Sequence, residues 1–112
     1  MSEAATGEGT RRWTFLTNHA HVLLAIARDP GIRLREIAER VGITERAAQR
    51  IVAELEREGY LTRRRSGRRN VYELHTELPL RHPLEERHAV GELLDLLRPV
   101  DGAAPRRRPS RR

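Results

Sequence analysis

The sequence predicts an α+β fold that is mostly α: three short helices, a β-hairpin and an added C-terminal helix. Three observations lead there. Apolar residues recur at three- and four-residue spacing in successive stretches, each closed by glycine or proline. Two extended runs then flank a short loop containing glycine and asparagine. The chain has 112 residues, one Trp, one Phe, two Tyr and no Cys, so one domain with a small aliphatic core is expected. The lack of cysteine also removes disulfides, thiolate metal sites and cysteine nucleophiles, and points to a reducing compartment.

Residues 1–12 are small, polar and without apolar period, and are expected to be a disordered lead-in. Trp13, Phe15 and Leu16 then supply bulk for packing on the domain or on a partner. A first helix starts near Thr17 or Asn18, either of which can cap it. Ala20, Leu23, Leu24 and Ala27 form its stripe, widened by Val22 and Ile26. Asp29-Pro30-Gly31 stops it. Ile32-Arg33-Leu34 is a short extended candidate. A second helix follows with Leu34, Ile37, Ala38 and Val41 on one face, closed by Gly42 at the position that favours a left-handed residue. Thr44 is a good N-cap for a third helix running to Gly59, with Ala48, Ile51, Val52 and Leu55 spaced i, i+3, i+4, i+7. Two helices separated by a glycine and one apolar residue read as a helix-turn-helix.

Strands are expected over Tyr60 to Arg65 and Val71 to His75, with Ser66 to Asn70 as the arginine-rich tip of a hairpin. Tyr72 and Leu74 alternate onto one face, which should cover the helical core. Thr76 to His82 reads as an irregular connection. Pro83 suits the first turn of a last helix carrying Val90, Leu93, Leu94 and Leu97, ended by Pro99. The domain organisation is therefore a lead-in (1–12), a core (13–75), a connection with a C-terminal helix (76–98) and a disordered basic tail (99–112).

All 22 basic residues are arginine, and the net charge is +6. They cluster. Residues 60–75 hold five arginines against one glutamate, and 99–112 hold five against one aspartate. Attraction to phosphates depends on local charge density, so such clustering suits a polyanion-binding surface. No apolar run is long enough to span a bilayer, and the N-terminus lacks the apolar core of a signal peptide, so a cytoplasmic protein without a membrane partner is expected.

The order helix, short strand, helix, turn, helix, hairpin is that of a winged helix-turn-helix, and three segments support it. Leu34-Arg35-Glu36-Ile37-Ala38-Glu39-Arg40-Val41-Gly42-Ile43-Thr44 resembles a signature of bacterial regulators. Leu55-Glu56-Arg57-Glu58-Gly59-Tyr60-Leu61 resembles the junction into a wing, and Gly67-Arg68-Arg69-Asn70-Val71-Tyr72 the wing return. Over about residues 17–75 the chain is thus similar to the DNA-binding core of MarR-like and ArsR-like transcriptional regulators. The resemblance implies a winged helix-turn-helix with an added C-terminal helix. It also implies a sequence-specific regulator of double-stranded DNA in the cytoplasm, associated with the bacterial nucleoid, with helix 44–59 in the major groove and wing 60–75 on the adjacent minor groove.

Carried onto this chain, Thr44, Glu45, Arg46, Gln49 and Arg50 face the bases. Arginine can take guanine O6 and N7, glutamine adenine N6 and N7, and glutamate cytosine N4. The competing reading is a solvated helix face, but the spacing Arg46/Arg50 and Glu54/Glu58 pairs like charges and explains such a face poorly. Glu45 also suits a helix N-terminus electrostatically. Arg68 and Arg69 at the tip, with Arg63, Arg64 and Arg65 in the strand, are placed on the DNA backbone or minor groove. The alternative is a charged edge that prevents sheet aggregation. The tail arginines Arg106 to Arg112 either add sequence-independent affinity or serve solubility.

Related regulators dimerise through helices outside the winged core, which assigns a homodimer to Trp13, Phe15, Val90, Leu93, Leu94 and Leu97. The alternative is that the last helix folds back on Val22, Leu23 and Ile26. His19, His21, His75, His82 and His88 have poor ligand spacing, so no metal is assigned, and no nucleophile and base set or phosphate loop suggests an enzyme or a cofactor. A small-molecule effector bound between the terminal helices and the core stays open as an expectation, with no residue naming it. The rival function is a winged-helix module binding protein. RNA binding is disfavoured by the scarcity of aromatic residues for stacking.

Overall fold

A computed structural model describes residues 13–98. The expected lead-in 1–12 and tail 99–112 lie outside the described residues. The elements are α1 (Asn18–Arg28), α2 (Leu34–Val41), α3 (Glu45–Arg57), β1 (Leu61–Ser66), β2 (Arg69–Leu74) and α4 (Val90–Leu96). The chain divides into two compact units, one ending at His75 and the other beginning at Thr76.

In the first unit the three helices pack against one another in pairs, and the hairpin lies on α3 and α1. Local chemistry sets the helix ends. Thr17 Oγ1 accepts from the Ala20 amide at 3.4 Å, and Thr44 Oγ1 from the Ala47 amide at 3.0 Å. Each takes up one of the amides that the first helical turn leaves unpaired. The Arg33 amide is capped in turn by Glu36 Oε1 at 3.0 Å. Gly42 ends α2 at φ 87° and Gly59 follows α3 at φ 90°, the left-handed conformation that side chains with a Cβ resist.

The core is aliphatic, with Val22, Ile26, Ile32, Ile37 and Leu61 almost wholly removed from water. Each such side chain contributes about 1.5–3 kcal/mol. In α1 the buried face is Val22, Leu23, Ala25 and Ile26, whereas Leu24 is half-buried and Ala27 exposed. The stripe expected through Ala20, Leu24 and Ala27 is therefore rotated. With α2 and α3 both against it, α1 centres its buried face on Val22 and Ile26, one turn apart. Ala48, Ile51, Val52 and Leu55 are buried in α3 as expected.

Ile32-Arg33-Leu34 is not a strand: Ile32 is a buried loop residue and Leu34 already belongs to α2. The sheet has two antiparallel strands, in register from Leu61↔Leu74 to Ser66↔Arg69. The strands run further than expected, leaving a two-residue connection, Gly67-Arg68, with Gly67 at φ 65°. Asn70 and Arg69, expected in the loop, are paired strand residues. Tyr72 is buried and Leu74 half-buried, on the same face as the buried Leu61.

The second unit corrects the position of the last helix. Residues 76–80 run antiparallel to 88–91, through Leu80 N→His88 O (2.9 Å), Val90 N→Leu78 O (2.7 Å) and Gly91 N→Thr76 O (3.0 Å). This pairing needs extended backbone at Ala89, which has ψ 154°, so α4 starts at Val90 and not at Pro83. A Cβ on Gly91 would come within 2.7 Å of Thr76 Cβ, so glycine permits the close approach. Glu92 fastens the helix start, accepting from the Ala89 amide at 3.0 Å and bonding His88 Nδ1 at 2.6 Å.

Candidate nucleic-acid interface

Burying Ala48, Ile51, Val52 and Leu55 forces the opposite side of α3 into solvent. Glu45, Arg46, Gln49 and Arg50 are all exposed there, in the first two turns after the Thr44 cap. Arg46 has no hydrogen bond or ion pair with any described residue. Arg50 Nη1 lies 3.6 Å from Glu54 Oε2. The i, i+4 partner of Arg50 that matters is thus Glu54, an opposite charge; the like-charged pairings weighed from the sequence missed it. Glu54 Oε1 also meets His19 Nε2 at 2.7 Å, tying α1 to α3. That hydrogen bond, with the charges of His19, Arg50 and Arg57, holds the Glu54 carboxyl below its usual range.

The five wing arginines divide by structure. Arg63 shares a face with Tyr72 and Leu61, and its Nη2 donates to Glu56 of α3 at 3.0 Å. Arg64 donates to Glu73 on the other strand through Nε (3.1 Å) and Nη2 (2.7 Å), which lowers the Glu73 pKa. Arg65 Nε donates to the Gly67 carbonyl at 3.3 Å. Arg69 Nη2 donates to the Gly31 carbonyl at 2.6 Å. Arg68, in the turn itself, has no hydrogen bond or ion pair among the described residues. The tip is therefore Gly67-Arg68, and Arg69 points back to the α1–α2 turn.

Between α3 and the wing is a cleft of about 380 Å³. Arg33, Arg63, Arg68 and Arg69 line it together with Gln49 and Asn70, and no acidic side chain does. Gln49 joins the exposed face of α3 to the wing. Burial of Tyr72 behind the cleft raises the pKa of its phenol, so the group stays neutral. Arg33 was missed from the sequence. It lay in a segment read as a strand, whereas it is the residue before α2 and presents a guanidinium with no hydrogen bond or ion pair among the described residues.

The dimer set is scattered. Val90 and Leu94 are buried within the single chain, and Leu93 and Leu97 are half-buried. Leu96 and Leu84 are exposed instead, as are Trp13 and Phe15, whose rings pack edge to face at 4.9 Å. The five histidines each bond a neighbour: His19 to Glu54, His21 to Asn18, His75 to Thr62, His82 to the Leu84 amide and His88 to Glu92. Among the described residues no three His, Cys, Asp or Glu side chains converge on a metal position, and no helix is long and apolar enough to cross a membrane.

No curated protein matches the chain. Among solved structures, it is similar to the PcaV transcriptional regulator from Streptomyces coelicolor, in complex with its natural ligand, with 32% identity and a TM-score of 0.49. The match covers 55% of this chain and 46% of that one, so the chain matches less than half of that regulator's length. The model of the MarR family matches residues 14–69, from the residue after Trp13 through all three helices to the first residue of β2. With half of the chain so matched, and with three helices and a wing in that order, the chain belongs to the MarR family of winged-helix regulators.

Proposed function

We propose that the protein is a sequence-specific regulator of transcription that binds double-stranded DNA without catalysing a reaction. The observation that carries this is the continuity of one surface. The exposed first turns of α3 run through Gln49 into a cleft with four arginines and out to Arg68 at the wing tip. An α-helix fits the major groove, and a wing beside it reaches the neighbouring backbone or minor groove. Arg46, Gln49 and Arg50 take base edges, with Thr44 and Glu45 at the helix start. Arg68 is ready for phosphate, while Arg63, Arg64 and Arg65 must exchange their contacts with Glu56, Glu73 and Gly67 for DNA.

Two copies bind together in this reading. Trp13, Phe15, Leu84 and Leu96 are the exposed large apolar side chains among the described residues, available to a partner copy, with half-buried Leu93 and Leu97 beside Leu96 on or next to α4. A two-fold axis would then set two α3 helices about one DNA turn apart. The test is selection from a pool of random duplexes by the purified full chain. An enriched motif with two related halves is the expected result. Retention of all duplexes alike, with affinity following salt alone, would exclude sequence reading.

A further inference from the structure

We propose that Arg69 is a positioning residue: it fixes the wing against the α1–α2 turn, leaving Arg68 as the arginine that the wing tip offers to DNA. The inference rests on the reading of the molecule as a DNA-binding protein. In sequence the two arginines are adjacent and equivalent. The two-residue turn separates them, because Ser66↔Arg69 is the last strand pair and Arg68 lies beyond it.

The Arg69 guanidinium donates to the Gly31 carbonyl at 2.6 Å, a short charge-assisted bond. It passes over the bare face of Gly31, where a Cβ would stand 3.3 Å from Nη2 and 3.8 Å from Cζ. Gly31 has no left-handed φ, so what glycine supplies here is room for the arginine. Asp29 Oδ1 accepts from the Gly31 amide at 3.2 Å and holds the turn that presents the carbonyl.

A second bond runs beside the first, from the Tyr72 amide to the Pro30 carbonyl at 2.9 Å. The α1–α2 turn thus holds β2 at two points three residues apart, the backbone amide of Tyr72 and the side chain of Arg69. Leu61 and Tyr72 in the core and the Arg63–Glu56 bond hold the hairpin's inner face; the two bonds to the α1–α2 turn brace its free side and set its tilt. That tilt fixes the distance from Arg68 to Gln49 and Arg50 on α3, and hence which phosphate the tip meets once the helix is seated. If Arg69 turned to a phosphate instead, it would give up the Gly31 carbonyl and release the wing.

The test compares Arg68→Ala, Arg69→Ala and Gly31→Val in the full chain, the last of which keeps every charge and blocks the path of the guanidinium. Binding is measured across salt on the wild-type selected duplex and on a random one, and amide exchange of Tyr72 is measured without DNA. Arg68→Ala should make the slope of log K against log salt shallower by about 0.9 on both duplexes and leave Tyr72 exchange unchanged. Arg69→Ala and Gly31→Val should keep the wild-type slope, lose about three- to tenfold in preference for the selected duplex, and speed Tyr72 exchange. A shallower slope for Arg69→Ala, or Tyr72 exchange untouched by its loss, would overturn the assignment. If the wild-type protein showed no preference among duplexes, the DNA reading would fall, and the exchange measurement would still decide whether Arg69 holds the wing.

Discussion

Thr44 carries two demands at once. Its hydroxyl oxygen accepts from the Ala47 amide, which fixes where α3 begins, and its proton is still free to donate outward from the first turn. Thr44→Ala should therefore lower stability by about 1 kcal/mol in chemical denaturation, and it should weaken DNA binding beyond any effect of unfolding. A stability loss without a binding loss would make Thr44 a cap and nothing more. Arg50 differs from Arg46 in having Glu54 at its side. Glu54→Gln removes that competitor for the guanidinium and is expected to raise affinity for all duplexes by a small factor. Gln keeps an oxygen that can accept from His19 Nε2, and an exposed ion pair contributes little, so stability should hardly move.

At the scale of elements, acid stability separates burial from pairing. His21 is half-buried, and desolvation lowers its pKa, so the unfolded chain takes up that proton first. Stability should begin to fall as pH drops through the ordinary imidazole range. Glu36, Glu54, Glu73 and Glu92 all have lowered pKa values, through the Arg33 amide, His19, Arg64 and His88 respectively as the leading cause. Their stabilisation is complete above the usual carboxylate range and is lost as pH falls through their folded-state values. Thermal denaturation from neutral pH downward should show a shallow decline and then a steeper one. His21→Gln should remove the shallow part only; a shallow part that survives would assign it to another group.

The elements that could be read from sequence are those determined within a few residues of themselves. The α2 and α3 stripes, the Thr17 and Thr44 caps and the stop at Gly42 need only helical periodicity and one backbone conformation. What could not be read depends on a distant partner. Ile32 closes a turn, its amide donating to the Asp29 carbonyl at 2.9 Å, and β2 reaches this segment with the single backbone bond from Tyr72 to Pro30, so no ladder forms. Pro83 suits a helix start, yet the pairing of 76–80 with 88–91 delays α4 to Val90. The arginines of the wing look alike in sequence, and only Glu56, Glu73, Gly67 and Gly31 tell them apart.

For the whole molecule, DNA binding of this kind needs charge in two roles and a partner copy. The tail arginines Arg106 to Arg112 lie outside the described residues, and on charge alone they should attract any DNA. Deleting residues 103–112 is predicted to weaken binding to selected and random duplexes by the same factor, with a shallower salt slope. A change in their ratio would give the tail a part in specificity. Phe15→Ser with Leu96→Ser, both exposed in the single chain, should shift sedimentation from dimer to monomer with the fold intact. An unchanged mass would place the dimer surface elsewhere or remove it. Whether α3 reads bases is decided by the base-preference profile of Arg50→Ala beside that of the wild-type chain, taken from the same random duplex pool. Arg50→Ala should lose preference at one position in each half of the motif, at a cost of about 1–3 kcal/mol on the wild-type site, with the other positions retained. A profile identical to wild type would contradict base reading by α3.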